Sequence, residues 1–355
     1  MGVGGMVSFR HKLAAGLKAH NVEVCDDLAD IPYQAVLVIG GTRNLTGLLR
    51  ARLRGIPIVQ RLDGINWLHR LSGRGGSRLR HFLRAEYGNL NLRTIRARLA
   101  SRVVYQSLFV RHWWEREYGE TTIPSMVIYN GVDLNAFTPN GIGTPPEDRW
   151  RVLMVEGSLM GGYEQGLQVA MEFVERLANH FQGDPKIPSL PTHSPDRGKP
   201  VELMVVGRVA PSLQKYWEAH LSHRDHSSGL SLTWAGLLPT DRIPEIDRSA
   251  HLLYSADLNP ACPNSVIEAL ACGLPVVAFD TGALPELVNG ASGRVVPYGG
   301  DPWRLDRPDV DSLTSAAVEI LGDLDQFRKA ARARAETAFG LDGMVEAYLD
   351  VLLSE

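Results

Sequence analysis

The sequence has no apolar run approaching the eighteen or so residues that a bilayer-crossing helix needs, which removes helical membrane spans from consideration. Cysteine is scarce: Cys25, Cys262 and Cys272 form an odd set without metal-like spacing, so a disulfide framework and a zinc module are both excluded. The expected state is three reduced thiols. Eleven histidines are scattered with no ligand constellation. There is no nucleophile elbow, phosphate-binding P-loop or zinc-hydrolase motif, and no internal repeat. No basic stretch followed by a long apolar one stands at the N-terminus, so the expected location is cytoplasmic. Net charge is close to neutral at −3, and 44% of residues are apolar, as in ordinary globular proteins.

What is present is a repeating grammar. A length of 355 residues favours two domains, each with its own core. Short β-branched runs alternate with amphipathic stretches, which predicts α/β architecture with parallel sheets wound on both faces. In the first half, strands are expected at 22–24, 35–39, 56–60, 102–106 and 126–129, and helices at 45–53 and 109–118. Gly2, Gly4 and Gly5 precede an amphipathic helix, a device for close phosphate approach when it follows a strand, or else a flexible tail. Residues 138–149, rich in Pro and Gly, read as a linker. Strands at 151–155, 201–206, 230–234 and 251–254 and helices at 167–177, 312–321, 326–339 and 341–353 restate the grammar, interrupted by a proline-rich loop at 182–200. Ligands on such sheets sit beyond the strands' carboxyl ends, which makes Arg43, Arg61, Asp63 and Arg208 candidate site residues, with ordinary surface charge as the alternative.

The most informative stretch is 257–290, DLNPACPNSVIEALACGLPVVAFDTGALPELVNG. Pro263 and Asn264 open a helix with Val266, Ile267, Leu270 and Ala271 on one face. Cys272-Gly273 closes it, and 274–279 forms a fully covered strand. The amides at the helix start suit a phosphate or sugar hydroxyl, and Glu268 can accept bonds from a vicinal diol.

Taken whole, this stretch resembles the donor-binding signature of GT-B glycosyltransferases of family 4, PN-x-V-x-EA-x-A-x-G-x-PVVA-x-x-x-G-x-x-PELV. The segments SRVVYQSLFVRHWW and VIYNGVDLNAFTP are similar to those that close the family's first domain. The resemblance implies two Rossmann-like domains facing a central cleft. Their expected extents are 1–138 on the acceptor side, a linker at 139–149, and a donor domain at 150–340. A final helix at 341–355 is expected to cross back to the first domain. The family has a strand before the N-terminal glycines that cannot fit before Gly2, so the first domain is expected to lack its leading strand, or the true start to lie upstream. The implied reaction is transfer of a hexose-type sugar from a nucleotide sugar to a hydroxyl acceptor on a glycan or lipid-linked saccharide, with retention at the anomeric carbon. No metal or other cofactor is expected, because amides and basic side chains offset the diphosphate charge. Glu268 would hold the ribose; Asn264, Ser265 and Val266 would offer amides to the donor. Gly157, Ser158, Gln165, Arg208, Gly4 and Gly5 complete the donor-side set. Asp63 falls where the family often has His facing the reacting sugar.

Three positions depart from the family. Pro260 replaces the carboxylate that faces the donor sugar, and Ser158 and Gln165 replace the two cations that bind the diphosphate. Arg208 is the candidate substitute. These departures keep open a second reading, a GT-B-like protein that binds a nucleotide or a partner without catalysis; a nucleotide-sugar epimerase is disfavoured by the PN-x-V-x-EA signature. Separately, 67–116 carries eleven arginines among Trp67, Leu68, Leu71, Leu79, Phe82 and Leu83. It has no nucleic-acid module signature, so nucleic acid is not an expected partner. Peripheral contact with an anionic membrane and a plain solvated face are the two readings.

Overall fold

The computed structural model describes residues 5–71, 76–159, 164–183, 198–223 and 229–353. The chain forms two compact units. The first comprises Met1–Gly131, Pro260–Pro263 and Phe339–Glu355; the second comprises Val132–Asn259 and Asn264–Ala338.

In the first unit, α1 (Gly5–Ala19), β1 (Val36–Ile39), α2 (Leu45–Leu53), β2 (Ile58–Leu62), α3 (Gly76–Thr94), β3 (Arg102–Tyr105), α4 (Leu108–Tyr118) and β4 (Ser125–Val127) follow in order. The strands pair in parallel in the order β1-β2-β3-β4. β2 lies inside the sheet and all five of its residues are buried, as a β-branched run covered on both faces requires. Asn44 caps α2 by accepting from Gly47 N at 2.9 Å, and Ser107 caps α4 by accepting from Val110 N at 3.1 Å. Phe9, Leu13 and Leu17 of α1 share a core with Met344, Val345 and Tyr348 of the C-terminal helix Leu341–Leu353.

Two expectations are corrected here. No strand forms at 22–24: Val22 N bonds back to Leu17 O as the closing turn of α1, and Val24 is exposed. Three β-branched or polar residues with no neighbouring strand cannot satisfy their backbone and stay irregular. The strand expected at 56–60 begins two residues later, because Ile56 N is used by Ala51 O at the end of α2. Arg61 and Leu62 are therefore inside β2, and Asp63 is the first residue beyond it.

The second unit continues with β5 (Trp150–Ser158), α5 (Glu164–Gln182), β6 (Val201–Arg208), α6 (Pro211–Ser222), β7 (Leu230–Gly236), α7 (Ile243–Arg248) and β8 (Leu252–Tyr254). It then runs through α8 (Asn264–Ala271), β9 (Val276–Phe279), α9 (Leu284–Leu287), β10 (Gly293–Val296), α10 (Val310–Gly322) and α11 (Leu324–Ala338). The six strands are parallel in the order β10-β9-β8-β5-β6-β7. The order reverses beside β5, which is where an open α/β sheet offers a crevice. α6, α7 and β10 were not foreseen from the sequence. Most of the loop expected at 182–200 lies outside the described residues; 138–149 packs within this unit, with Arg248 donating to Ile142 O at 2.7 Å and Thr138 O at 3.0 Å. Among the described residues no helix is long and apolar enough to cross a membrane.

Candidate functional site

In the second unit the site residues gather at the carboxyl ends of β5, β6, β8 and β9. β5 and β6 run side by side until Ser158 pairs in register with Arg208, after an irregularity between Val155 and Ser158. Gly207 makes that approach possible. Its φ is +143°, and a Cβ there would overlap the carbonyl oxygen of Glu156. Gly157, Ser158 and Arg208 are all exposed. The Arg208 guanidinium has no ion pair or hydrogen bond among the described residues, and its carbonyl accepts from Leu159 N at 2.9 Å. Among the described residues, then, a guanidinium without a partner stands on β6 beside Ser158. Gln165 is on the first turn of α5, half-buried, with Nε2 3.4 Å from Leu305 O.

α8 supplies the rest. Val266, Ile267, Ala269, Leu270 and Ala271 are buried, which fixes the helix against the unit and leaves Asn264 and Ser265 half-buried at its start. The first amides of a helix lack intrahelical partners, so this end is able to receive an anion or a hydroxyl. Glu268, one turn on, is buried, and its carbonyl accepts from Cys272 N at 3.1 Å. Asp247 of α7, almost wholly buried, lies near it. Burial first, and then Glu268, push the Asp247 carboxyl well above the usual carboxylate range.

Two carboxylates escaped the sequence reading. Glu156 precedes Gly157 on β5, and Asp257 follows β8, the neighbouring strand. Burial, and secondarily Asp257, hold the Glu156 carboxyl well above its ordinary value; burial does the same to Asp257, against a lowering bond from the Leu258 amide. A small cavity beside them is lined by Gln165, Tyr254, Asp257, Thr281 and Tyr298, and the buried Thr281 hydroxyl has no partner among the described residues. The available signal was a lone carboxylate at the end of each of two expected strands, one of them inside the most informative stretch.

The first unit holds Asp63, Arg61, Arg43 and Gly5; Gly4 lies outside the described residues. Asp63 follows β2 half-buried, and its carbonyl accepts from Trp114 Nε1 at 2.8 Å. Burial raises its carboxyl above the ordinary value, against the lowering field of Arg61. Arg61 is not a free site cation. It is buried, donates to Asn130 Oδ1 at 2.6 Å and lies 3.6 Å over the Phe9 ring. Asn130 in turn donates Nδ2 to Cys262 O at 2.9 Å, so Arg61 ties together three distant segments of the unit. Arg43 is exposed, and Gly5 opens α1.

Two Rossmann-like parallel-sheet units define a class, the GT-B fold. Solved structures support this across the length of the chain. The glycosyltransferase WaaG of lipopolysaccharide biosynthesis superposes with a TM-score of 0.67 at 14% identity, covering 100% of this chain and 98% of that one. Anabaena HepE in complex with UDP-glucose gives 0.62 at 18% identity, covering 100% and 97%. Over residues 153–323 the sequence matches the family model described as Glycosyl transferases group 1. Two curated relatives match shorter stretches. A 2-deoxystreptamine N-acetyl-D-glucosaminyltransferase of Streptomyces fradiae is 28% identical over 31% of this chain and 24% of its own. A GDP-mannose-dependent monoacylated alpha-(1-6)-phosphatidylinositol monomannoside mannosyltransferase of Corynebacterium glutamicum is 36% identical over 25% and 22%. The matched stretch thus spans about a quarter of each curated relative.

Proposed function

We propose that the protein is a retaining glycosyltransferase that moves a hexose-type sugar from a nucleotide sugar to a hydroxyl of a glycan or lipid-linked saccharide. The observation that carries this reading lies in the family-matched unit. Arg208 pairs in register with Ser158 at the carboxyl ends of β5 and β6, the end of the sheet at which β8 leads on to α8 with its first amides and Glu268. Glu268 accepts from the ribose hydroxyls. Asn264, Ser265 and Val266 offer amides to the donor; Gly157 and Ser158 line its diphosphate, and Gln165 donates a neutral bond. Arg208 supplies the positive charge that Ser158 and Gln165 lack. No metal is needed in this scheme, because amides and the guanidinium offset the phosphate charge. Asp63 is assigned as the sugar-facing carboxylate on the resemblance alone, and retention follows from same-face attack in which the leaving phosphate takes the acceptor proton. The curated relatives are named for N-acetylglucosamine and mannose transfer, and HepE is solved with UDP-glucose, which supports a hexose-type donor. The protein acts in the cytoplasm, and its basic segment 67–116 makes peripheral contact with an anionic membrane.

A second reading, nucleotide or partner binding without catalysis, is favoured by one observation: Glu156 and Asp257 bring two carboxylates toward a site already short of two cations. A thermal-shift screen with uridine, guanosine and adenosine diphosphate sugars, followed by donor hydrolysis and transfer assays, separates the two. A ligand at a hundred times its dissociation constant adds about 2.7 kcal/mol of stability. Binding with turnover supports transfer; binding with no turnover on any donor supports the second reading, and no binding at all refutes both nucleotide schemes.

A further inference from the structure

One side of α3 is held to the protein by polar side chains: Glu86 binds His69 Nε2 at 2.8 Å and Arg70 Nε at 2.9 Å, and Asn89, buried, donates to Asn66 O at 3.0 Å. Asn91 donates to Thr42 O at 2.9 Å, while Gln60 reaches the carbonyl of Leu92 at 3.1 Å. Phe82 and Leu92 are half-buried, Phe82 with its ring 5.1 Å from that of His69, while four other apolar side chains face out. Leu79, Leu83, Tyr87 and Leu90 are 49%, 59%, 63% and 56% exposed. Their spacing of four, four and three residues places them on one stripe about 16 Å long. Arg80 and Arg84 flank one side of the stripe and Arg93 the other, all exposed. Arg70, the first cause, with His69 and Asn89, holds the Glu86 carboxyl down at about 2, so its charge is matched within the protein. No ion pair of Arg80 or Arg84 is found among the described residues.

From this stripe we propose that α3 is the element that docks on an anionic lipid surface, lying in the interface with Leu79, Leu83, Tyr87 and Leu90 in the acyl boundary and the arginines at the headgroups. The proposal rests on the membrane contact put forward above and names the helix, the face and the depth of that contact. Charge decides between occupants. A second copy brought face to face would set Arg80 and Arg84 against their own duplicates, and nucleic acid would gain nothing from four exposed apolar side chains. An apolar stripe with a cationic rim fits an anionic bilayer on both counts.

The test is flotation of the full chain with phosphatidylcholine vesicles with and without 30% phosphatidylglycerol. The parent is expected to float with the anionic vesicles only, and to release as salt rises. Leu83→Ser with Leu90→Ser should weaken binding by roughly a hundredfold, about tenfold for each leucine no longer buried. Arg80→Gln with Arg84→Gln should weaken it roughly tenfold or more and flatten the salt dependence. Melting curves check that both variants remain folded. In a Cys25→Ser background, Tyr87→Cys carrying an environment-sensitive fluorophore should shift to the blue on anionic vesicles, a readout that does not depend on the leucine variants. Parent binding that survives the leucine changes, or a probe at position 87 that stays water-exposed, overturns the role of α3 alone. Failure of the parent to float at low salt overturns it together with the membrane contact. A concentration-dependent dimer that the leucine changes abolish would assign the face to self-association and overturn the lipid proposal.

Discussion

Arg208→Gln isolates the charge on which donor binding is proposed to depend. Neighbouring strands lie about 4.8 Å apart, so a side chain from position 158 and one from position 208 can reach the same anion. At an effective dielectric of about 20, a unit charge pair 5 Å apart is worth roughly 3 kcal/mol. Solvent at this exposed edge and the desolvation of both partners reduce that to about 1.5–3 kcal/mol, the range of a hydrogen bond to a charged group. The substitution is therefore expected to weaken nucleotide-diphosphate binding by roughly ten- to a hundredfold. Folding should be untouched, within about 0.5 kcal/mol, because the guanidinium has no partner among the described residues. Isothermal titration at low and high salt provides the assay, and the gap between parent and variant should narrow as salt screens the charge. A second arm restores charge one strand away: Ser158→Arg in the Arg208→Gln background should recover most of the affinity, since the two positions are register partners. Gln165→Lys should add to it. If Arg208→Gln folds like the parent and binds diphosphate within about twofold of it, the relocated-cation argument is wrong.

Further outcomes follow from the same geometry. Glu268→Gln replaces an anionic acceptor with a neutral amide and should cost nucleotide affinity tenfold or more, about 1.5–3 kcal/mol; unchanged binding removes Glu268 from the ribose site. Gly207→Ala puts a methyl against the Glu156 carbonyl at φ +143° and should destabilise the protein by roughly 2–4 kcal/mol in urea unfolding, so a loss below about 0.5 would mean the strands can part there. Asp257 has its carboxyl pushed up to about 6 by burial, whereas the unfolded chain releases that proton near 4. Stability is thus fully retained below about pH 4 and falls as pH rises toward 6, because the unfolded state ionises first. Asp257→Asn should flatten that fall and raise the unfolding free energy at pH 8 by an amount on the order of 1–2 kcal/mol; an unchanged pH profile shows that Asp257 is not the group responsible.

The sequence alone determined most of the local elements and the fold class. β6, apolar from Val201 to Val206 except for Glu202, and β9, Val276–Phe279 within the expected 274–279, are mostly buried runs whose pattern is legible in the sequence. α8 was legible because capping residues, an apolar face and a closing Cys-Gly all agree within ten or so residues. The C-terminal helix appears with the bounds its periodicity predicts, Leu341–Leu353. β10 was missed because four residues, GRVV, carry too little pattern to stand out from a turn. The strand at 22–24 was overcalled for the converse reason: propensity without a partner does not make a strand.

Pairing across the chain belongs to the tertiary structure. Ser158 and Arg208 are fifty residues apart in sequence, and only the β5–β6 register makes them neighbours. Arg61 reads as one more arginine at a strand end, yet the fold buries it against Phe9 and Asn130. Glu156 and Asp257 affect one another only because β8 lies beside β5. α3 shows the principle most plainly. Its sequence supplied leucines and arginines at helical spacing, but which face turns outward was settled by His69, Arg70, Asn66 and Thr42, which bind its polar side chains from within. Periodicity is a property of neighbours along the chain and can be read from it; partnership between distant residues is created by packing, and it decides which charges are spent inside the protein and which remain to meet a ligand.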